Sequence, residues 1–397
     1  DRPSLYRTAE SDYPDNDERF IFFSRAVIEL GKFLDVVPHI IHSHDWQTGL
    51  LPAYLKTVYK NDSFFRRTAS VFTIHNIAYQ GLFPKQTLFQ AGFSWHDFTP
   101  EKLEYYGQFS FLKTGLVYAD SITTVSPAYA QEVQTTNEFG RGMEGLLHSR
   151  AKDFEGILNG LDTEEWNPAK DPHIKVKFSV KSRTLIEQKQ ACKKALCEQL
   201  KIPYKENVPL IGMVSRLDPQ KGFSKVAEIV KSLAADKQNF QWVVLGLGDK
   251  NIQEQLTQVA DAHPGQFVMR LGFDDPLAHR IYAGTDIFFM PSEFEPCGLG
   301  QLIAMRYGSV PVVTPVGGLI DTVDPWDGAD QTGTGFVSGD HTAESLAEML
   351  SVALSVYSKP AEWQKLLRNA MNKDHSWTNP AELYADLYRR LTEKYDR

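Results

Sequence analysis

Residues 286–323 read DIFFMPSEFEPCGLGQLIAMRYGSVPVVTPVGGLIDTV, and this stretch contains one arrangement twice. The apolar runs DIFFM and VPVVT have the length and composition of buried strands. Each is followed by a turn that contains glycine and then by a short helical pattern, QLIAMRYG after the first run and GGLIDTV after the second. Strand–turn–helix units of this kind predict a parallel sheet whose two faces are covered by helices.

Similar apolar runs recur in both halves of the chain, at residues 38–43, 69–74, 121–126, 156–159, 209–214, 242–246 and 267–271. Helix-period segments such as residues 223–236 lie between them, so the sequence predicts an α/β fold with two Rossmann-like domains. The N-terminal domain is predicted over residues 1–165 and is joined by the C-terminal helix 379–397. The C-terminal domain is predicted over residues 166–378, and the polar segment 161–178, with its two prolines, is the expected hinge.

Composition limits the classes of function. The 397 residues carry a net charge of −8, which argues against a nucleic-acid partner, and no apolar run is long enough to cross a bilayer. The three cysteines form no CxxC pair, which suits a reducing compartment and predicts a cytoplasmic protein with no membrane partner. The chain opens with DRPSL, without methionine and without a strand, so we expect that further sequence precedes Asp1.

Polar residues follow several of the predicted strands, where ligands of open parallel sheets bind. Arg216 and Lys221 lie on one loop after the strand 209–214, and two cations so placed can grip a diphosphate. From spacing alone, a solvated charged turn is an equally good interpretation. Glu295 follows the strand 286–290, and Cys297–Gly300 are expected to start a helix whose N–H groups suit phosphate or sugar oxygens.

Two other strand ends are less specific. Gly246 and Gly248 form a GxG turn, for which tight turn geometry is a better interpretation than dinucleotide binding. Phe273 follows another strand and, from the residues alone, is better interpreted as a core side chain than as a base-stacking one. Cys297 is at a helix start, where a lowered thiol pKa is conceivable, but a packing or backbone role is favoured.

In the first half, histidines end two strands. His42 and His44 share one face of a strand and precede Asp45, and His75 and Asn76 end the next strand. The two histidines of the first strand could ligate a metal, but no further ligand lies nearby in sequence, so a metal site is not favoured. His75, Asn76 and Asp45 would face a cleft between the domains if both sheets point their carboxyl ends inward.

Taken together, these segments resemble bacterial glycogen synthases and starch synthases, which are retaining glucosyltransferases with two Rossmann-like domains facing each other across a cleft (the GT-B fold). The matching segments follow the family's order: HSHDWQTGLLPAYLK, VFTIHNIAYQG, FLKTGLVYADSITTVSP, GMEGLL, GILNGLD, VSRLDPQKG, EPCGLGQL, MRYGSVPVV and GGLIDTV. The resemblance implies ADP-glucose as the donor, the non-reducing end of an α-1,4-glucan such as glycogen or starch as the acceptor, and neither a cofactor nor a metal.

Site residues are also implied by the resemblance. Arg216 and Lys221 would bind the donor diphosphate, Glu295 would lie beside the transferred glucose, and Phe273 would stack on adenine, which reverses the interpretation from composition. The implied catalytic residues are Glu295, His75, Asp45, Arg216 and Lys221. The implied substrate-binding residues are Arg216, Lys221, Phe273, Cys297, Gly298, Leu299, Gly300, Asn159 and Asn76.

The sequence departs from the family pattern in two ways. The family's opening strand and Lys-x-Gly-Gly-Leu loop have no counterpart, so we expect an N-terminally truncated first domain. Ile303 stands where related glucosyltransferases often carry a ribose-binding glutamate, so ribose binding must come from elsewhere. Two other functions stay open at this point: an inactive nucleotide-sugar-binding fragment, or a sugar-nucleotide epimerase with the same fold.

Overall fold

A computed structural model describes residues 2–8 and 11–395, which form two compact units. Unit 1 comprises Asp1–Leu158 and Pro380–Arg397, and unit 2 comprises Asn159–Asn379. The division falls earlier than the boundary at residue 165 expected from the sequence. The reason is that the segment 161–178, expected to be a hinge, packs into unit 2 through the buried side chains of Leu161, Asp171, Ile174 and Phe178.

Unit 1 is built on a four-stranded parallel sheet. The strand order in space is Ile40–His44, Ala69–Ile74, Ser121–Thr124 and Phe154–Gly156. All six residues of Ala69–Ile74 are buried, as expected for an internal strand of a sheet covered on both faces. The last strand ends at Gly156, before most of the run 156–159 predicted from the sequence. A small antiparallel sheet adds the strands Leu82–Phe83, Gln108–Ser110 and Glu104–Tyr105.

Helices surround this sheet. The C-terminal helix Thr378–Tyr395 buries Leu387 and Leu391 against Ala69 and Val71 of the internal strand, which ties the end of the chain to unit 1. The other α-helices of unit 1 are Asn16–Phe33, Leu50–Lys56, Thr87–Gln90, Phe111–Tyr118, Pro127–Glu132, Asn137–Gly140 and Glu144–Ser149. Its 3₁₀ turns are Trp46–Thr48, Ser63–Phe65, Trp95–Asp97 and Ala151–Asp153.

Unit 2 contains a six-stranded parallel sheet. The strand order is Phe267–Leu271, Gln241–Gly246, Leu210–Val214, Ile287–Met290, Val310–Val313 and Phe336–Val337. The first strand in the chain is central, and the chain adds strands on one side of it before crossing to the other. The order therefore reverses between Leu210–Val214 and Ile287–Met290, which is where ligands bind in doubly wound sheets. The predicted α/β class with Rossmann-like parallel sheets is confirmed.

The α-helices of unit 2 are Leu185–Leu200, Val226–Ala235, Lys250–Ala262, Asp275–Gly284, Gly300–Arg306, Gly317–Thr322, Ala343–Tyr357 and Pro360–Asn372. Two short 3₁₀ turns, Pro219–Lys221 and Phe223–Lys225, precede the second of them. Within the described residues, no helix combines the length and the apolar character that crossing a bilayer requires.

A buried lysine fastens the first of these helices to the sheet. Lys189 Nζ donates hydrogen bonds to the carbonyl oxygens of Ala283, Thr285 and Tyr307, each at 2.9 Å. These carbonyls lie at or just beyond the ends of two helices, where backbone acceptors lack intrahelical partners. One turn further on, Lys193 pairs with the buried Asp286 at 2.7 Å. The sequence pattern indicated neither contact.

Candidate active site

Two loops meet where the strand order of unit 2 reverses, and they bring together two of the predicted site residues. Lys221 Nζ lies 2.6 Å from Glu295 Oε2, and Ser292 Oγ donates to the same oxygen at 3.1 Å. The side chains of Lys221 and Glu295 are 17% and 5% exposed, so little water separates or screens the two charges. The result is a fixed carboxylate–ammonium pair at the carboxyl end of the sheet.

Close contact between their backbones fixes the position of these two loops relative to each other. Gly222 has φ +68°, and a Cβ added there would lie 1.8 Å from the carbonyl oxygen of Pro291, so no larger residue fits. Gln220 spans the same junction: its side-chain amide donates to Phe294 O at 2.9 Å, and its carbonyl accepts from Glu293 N at 2.9 Å. Sequence reasoning missed Gln220, although it stands beside Lys221 in the quoted motif.

A cavity of about 150 Å³ adjoins the ion pair. Its lining includes Lys221, Glu295 and the predicted binding residues Gly298, Leu299 and Gly300, and it also includes Ile303. The helix expected to start near Cys297 begins only at Gly300. The reason is that Gly298 has φ +72°, which lies outside the right-handed helical region. The segment 297–299 is therefore a turn that leads into the helix.

Cys297 is part of the packing of this turn. Its side chain is buried, and burial raises the pKa of the thiol to about 12, although a hydrogen bond from the Asn159 backbone partly opposes that rise. Gly318 of the second glycine turn packs against it so closely that an added Cβ would lie 2.2 Å from Cys297 O. A thiol held in this protonated state is a poor nucleophile. The structure thereby places Asn159, another predicted binding residue, beside Cys297.

Glu293, two residues before Glu295, points to a different partner. Its Oε1 lies 2.5 Å from Lys225 Nζ, and its side chain is 40% exposed. The two carboxylates of the turn therefore have separate environments, one buried at the cavity and one at the surface.

A second cavity, of about 350 Å³, adjoins Arg216 and Phe273. The ring of Phe273 is 93% exposed, so the interpretation of Phe273 as a core residue was wrong. Gly246 and Leu247 line the same cavity. Added Cβ atoms at Gly246 and Gly248 would lie 2.3 and 2.2 Å from the carbonyl oxygens of Ser215 and Leu217. These glycines thus allow two neighbouring loops to touch.

In unit 1, Asp45 is held in a rare backbone conformation. Its φ is 54° and its ψ is −178°, a combination that costs a residue with a Cβ about 1–3 kcal/mol. Its Oδ1 accepts a hydrogen bond from His75 N at 2.7 Å, and the Asn76 backbone also hydrogen-bonds to the carboxylate. Burial nevertheless raises the pKa of Asp45 to about 6. The three predicted residues Asp45, His75 and Asn76 therefore lie together at the ends of two adjacent strands.

The histidines of the same strands form a row. His42 Nδ1 lies 2.7 Å from the hydroxyl of Tyr388, and its Nε2 lies 2.6 Å from Thr73 Oγ1. Both ring nitrogens of His42 are thus engaged by protein side chains. His44 Nδ1 lies 3.0 Å from His75 Nε2.

A third group of side chains offers a set of possible metal-ligand atoms. The ligand atoms of His173, Asp275 and His279 lie within 4.8 Å of one another. His279 Nδ1 lies 2.7 Å from Asp171 Oδ2, which also accepts the hydroxyl of Tyr307 at 2.6 Å. Asp171, His279 and Tyr307 thus form a buried hydrogen-bond network that anchors the segment 161–178 to unit 2.

Comparison with known proteins matches both units. Residues 1–149 fit the family model described as starch synthase catalytic domain, and residues 198–369 fit that of the glycosyl transferases group 1. A glycogen synthase from Elusimicrobium minutum is 50% identical over 394 residues, covering 99% of this chain and 81% of that protein. A glycogen synthase from Thermotoga maritima is 44% identical over 395 residues, covering 99% and 80%.

A solved structure agrees with these relatives. The catalytic domain of starch synthase IV from Arabidopsis thaliana, bound to ADP and acarbose, is similar with a TM-score of 0.88 and 34% identity, covering 96% of this chain and 78% of that one. Sucrose-phosphate synthase from Thermosynechococcus elongatus, at 18% identity and a TM-score of 0.62, shares the fold.

Proposed function

This chain belongs to the glycogen synthase and starch synthase family of glycosyltransferases, and we propose that it transfers glucose from ADP-glucose to the non-reducing end of an α-1,4-glucan with retention of configuration. The related starch synthase IV was solved with ADP and acarbose, which supports an adenine nucleotide and a glucan-like ligand as the two substrate classes.

The observation that carries the proposal is the buried pair of Lys221 and Glu295 beside a cavity. Departure of a nucleoside diphosphate concentrates negative charge on the leaving oxygens, while the sugar gains positive charge. Lys221, together with Arg216 on the same loop, supplies fixed positive charge for the diphosphate. Glu295 supplies a carboxylate for the sugar. Because the pair is already formed, little reorganisation is needed when the charge develops.

We assign the nucleotide part of the donor to the second cavity. Phe273 presents an exposed ring at a cavity that Arg216 also lines. We assign the adenine to this ring, since aromatic stacking on a base requires an exposed face. The diphosphate then extends from Arg216 toward Lys221. The backbone of residues 297–300 and Asn159 binds the remaining phosphate and sugar oxygens.

The residues of unit 1 bind the transferred glucose in this proposal. Asp45 and His75 form one hydrogen-bonded group, and Asn76 adds a further backbone contact to it. The carboxylate of Asp45 accepts hydrogen bonds from hydroxyl groups of the sugar. The imidazole or the carbonyl of His75 binds neighbouring hydroxyl groups of the same sugar.

Retention of the sugar's configuration follows from the roles that we assign to Glu295 and to the departing diphosphate. An ordinary retaining glycosidase places two carboxylates about 5–5.5 Å apart, and one of them attacks the sugar. Glu295 is instead paired with Lys221, so we assign it to charge stabilisation rather than to attack. The acceptor hydroxyl attacks from the side on which the diphosphate leaves, and a departing phosphate oxygen takes its proton. The bond to the diphosphate breaks as the new glycosidic bond forms.

The test is to incubate the protein with radiolabelled ADP-glucose, with and without glycogen, and to separate polymer from small sugars. The proposal predicts label in the polymer only when glycogen is present, and release of that label as maltose by an enzyme that cleaves α-1,4 bonds. Label found only in free glucose or an epimeric sugar, or retained in the unreacted donor, would contradict it.

A further inference from the structure

His44 lies between His75, which is one of the predicted catalytic residues, and a neighbour whose two ring nitrogens are both hydrogen-bonded. Its Nδ1 lies 3.0 Å from His75 Nε2. On its other side, its ring stacks on that of His42, with centroids 4.3 Å apart and ring planes 27° from parallel. The side chains of His42 and His44 lie on the same face because the two residues are two positions apart on the strand Ile40–His44.

His42 is itself held by hydrogen bonds. Tyr388 and Thr73 occupy its two ring nitrogens, and Thr73 Oγ1 is in turn 2.5 Å from Thr123 Oγ1. Tyr388 belongs to the helix Thr378–Tyr395, whose leucines are buried in unit 1. The stacking surface under His44 is therefore held by three separate elements of the chain.

The surroundings of this row favour neutral rings. Burial lowers the pKa of His42 to about 3 and lowers the pKa of His44 and of His75 below its usual value, and mutual repulsion adds to the effect for His42 and His44. A neutral imidazole carries one N–H, so one ring of the His44–His75 pair donates and the other accepts. This bond restricts the orientation of the His75 ring and couples its tautomer to that of His44, because only one of the two bonded nitrogens carries a proton.

We propose that His44 is a positioning residue for His75, and that Tyr388 holds His44 in place through the ring of His42. The inference rests on the proposed glucosyl transfer, in which His75 contacts the sugar. Its role is orientation: His44 touches neither the donor nor the acceptor. A His75 ring that is free to rotate still allows the donor to bind but presents the wrong atoms to the sugar in the transition state.

The positioning role of His44 can be tested with substitutions that either keep or remove a polar atom at the position of Nδ1. The contact uses Nδ1, and the side-chain amide of asparagine places a polar atom near the position of Nδ1, whereas that of glutamine places one near Nε2. We expect His44→Ala and His44→Gln to lower kcat by about 10- to 100-fold while KM for ADP-glucose changes about twofold or less, and His44→Asn to recover most of the loss. Tyr388→Phe, which keeps the ring and removes the hydroxyl, should give a smaller loss of kcat. His39→Ala, an exposed histidine one position before the strand, is the matched control.

A second measurement does not depend on turnover. Ring ¹⁵N shifts of labelled histidines report which nitrogen carries the proton, and the His75 signal should change from one tautomer to a mixture in His44→Ala but not in His44→Asn or His39→Ala. Equal kcat in wild type and His44→Ala, or an unchanged His75 signal, would overturn the inference. An inactive wild-type protein would instead contradict the proposed function, and the His75 signal would still decide the positioning role.

Discussion

Lys221 and Glu295 form a 2.6 Å ion pair although 74 residues separate them in the sequence. The pair exists because two strand-end loops touch at Gly222 and Pro291. A buried ion pair is a costly arrangement unless its charges are used or are fully hydrogen-bonded. Here Ser292 donates to Glu295, and the remaining face of the pair borders a cavity. That combination is what connects the fold of unit 2 to its proposed chemistry.

The first prediction concerns Gly222. Gly222→Ala adds a Cβ at 1.8 Å from Pro291 O and also strains a φ of +68°, so we expect a loss of stability of about 2–4 kcal/mol and a loss of activity. Gly265→Ala is the control, because its φ of +75° carries the same strain but its nearest neighbour atom is 3.6 Å away. Urea denaturation of both variants separates the clash from the strain. Equal losses in the two would show that the loop contact is unimportant.

Phe273 should matter for donor binding. We expect Phe273→Ala to weaken ADP binding by about 5- to 150-fold, since stacking on a base contributes about 1–3 kcal/mol. Leu271→Ala, an exposed apolar residue two positions earlier, is the control. Isothermal titration with ADP measures both. If Phe273→Ala binds ADP with unchanged affinity, the adenine does not stack on Phe273.

Asp45 should make stability depend on pH. Its pKa of about 6 lies above the value near 3.9 of an unfolded chain, so the folded state keeps a proton that the unfolded state loses. Stability from this group is therefore fully present below about pH 4 and is lost as the pH rises to about 6. Asparagine cannot ionise, so the Asp45→Asn variant does not lose this stability as the pH rises. Its free energy of unfolding relative to that of the wild type should therefore increase by up to about 3 kcal/mol between about pH 4 and about pH 6, at 1.36 kcal/mol per pKa unit.

The control for Asp45 is Asp35→Asn. Asp35 also has a positive φ, of 52°, but its side chain is exposed. Denaturation curves measured from pH 4 to pH 7 should show a pH-dependent difference from wild type for Asp45→Asn and a constant one for Asp35→Asn. A constant difference for both would mean that Asp45 is not held in a protonated state by burial.

Lys189 should be essential to the stability of unit 2. Lys189→Met leaves three buried carbonyl oxygens without a donor, and each such group costs about 1–3 kcal/mol, so we expect a loss of about 3 kcal/mol or more. Lys194→Met changes an exposed lysine of the same helix and should have little effect. The measurement is the midpoint of urea unfolding of each variant. Similar midpoints for Lys189→Met and Lys194→Met would contradict the anchoring role of Lys189.

The sequence predicted the fold class and the strand ends well, for a physical reason. Buried parallel strands are continuous apolar runs, and residues such as Lys221 and Glu295 interrupt the pattern at the point where ligands bind. Phe273 was misjudged from composition because an apolar residue is usually buried, and only the resemblance to a family indicated an exposed ring.

Other features depend on contacts between residues distant in sequence. His44 and His75 are 31 residues apart, and Tyr388 is 346 residues from His42, so no local pattern could indicate that these side chains meet. The start of the helix at Gly300 depends on the positive φ of Gly298, which glycine permits but does not require. The division between the units moved from residue 165 to residue 158 because buried side chains tie the segment 161–178 to unit 2.

Glu295 gives the most direct test of the central claim that the buried pair stabilises the charges of glucosyl transfer. The measurement is kcat for incorporation of glucose from ADP-glucose into glycogen by Glu295→Gln, beside Glu293→Gln, whose carboxylate pairs with Lys225 at the surface. We predict a loss of about 100- to 1,000-fold for Glu295→Gln, with folding confirmed by urea denaturation, and a change of about twofold or less for Glu293→Gln. Turnover by folded Glu295→Gln equal to that of the wild type would contradict the account.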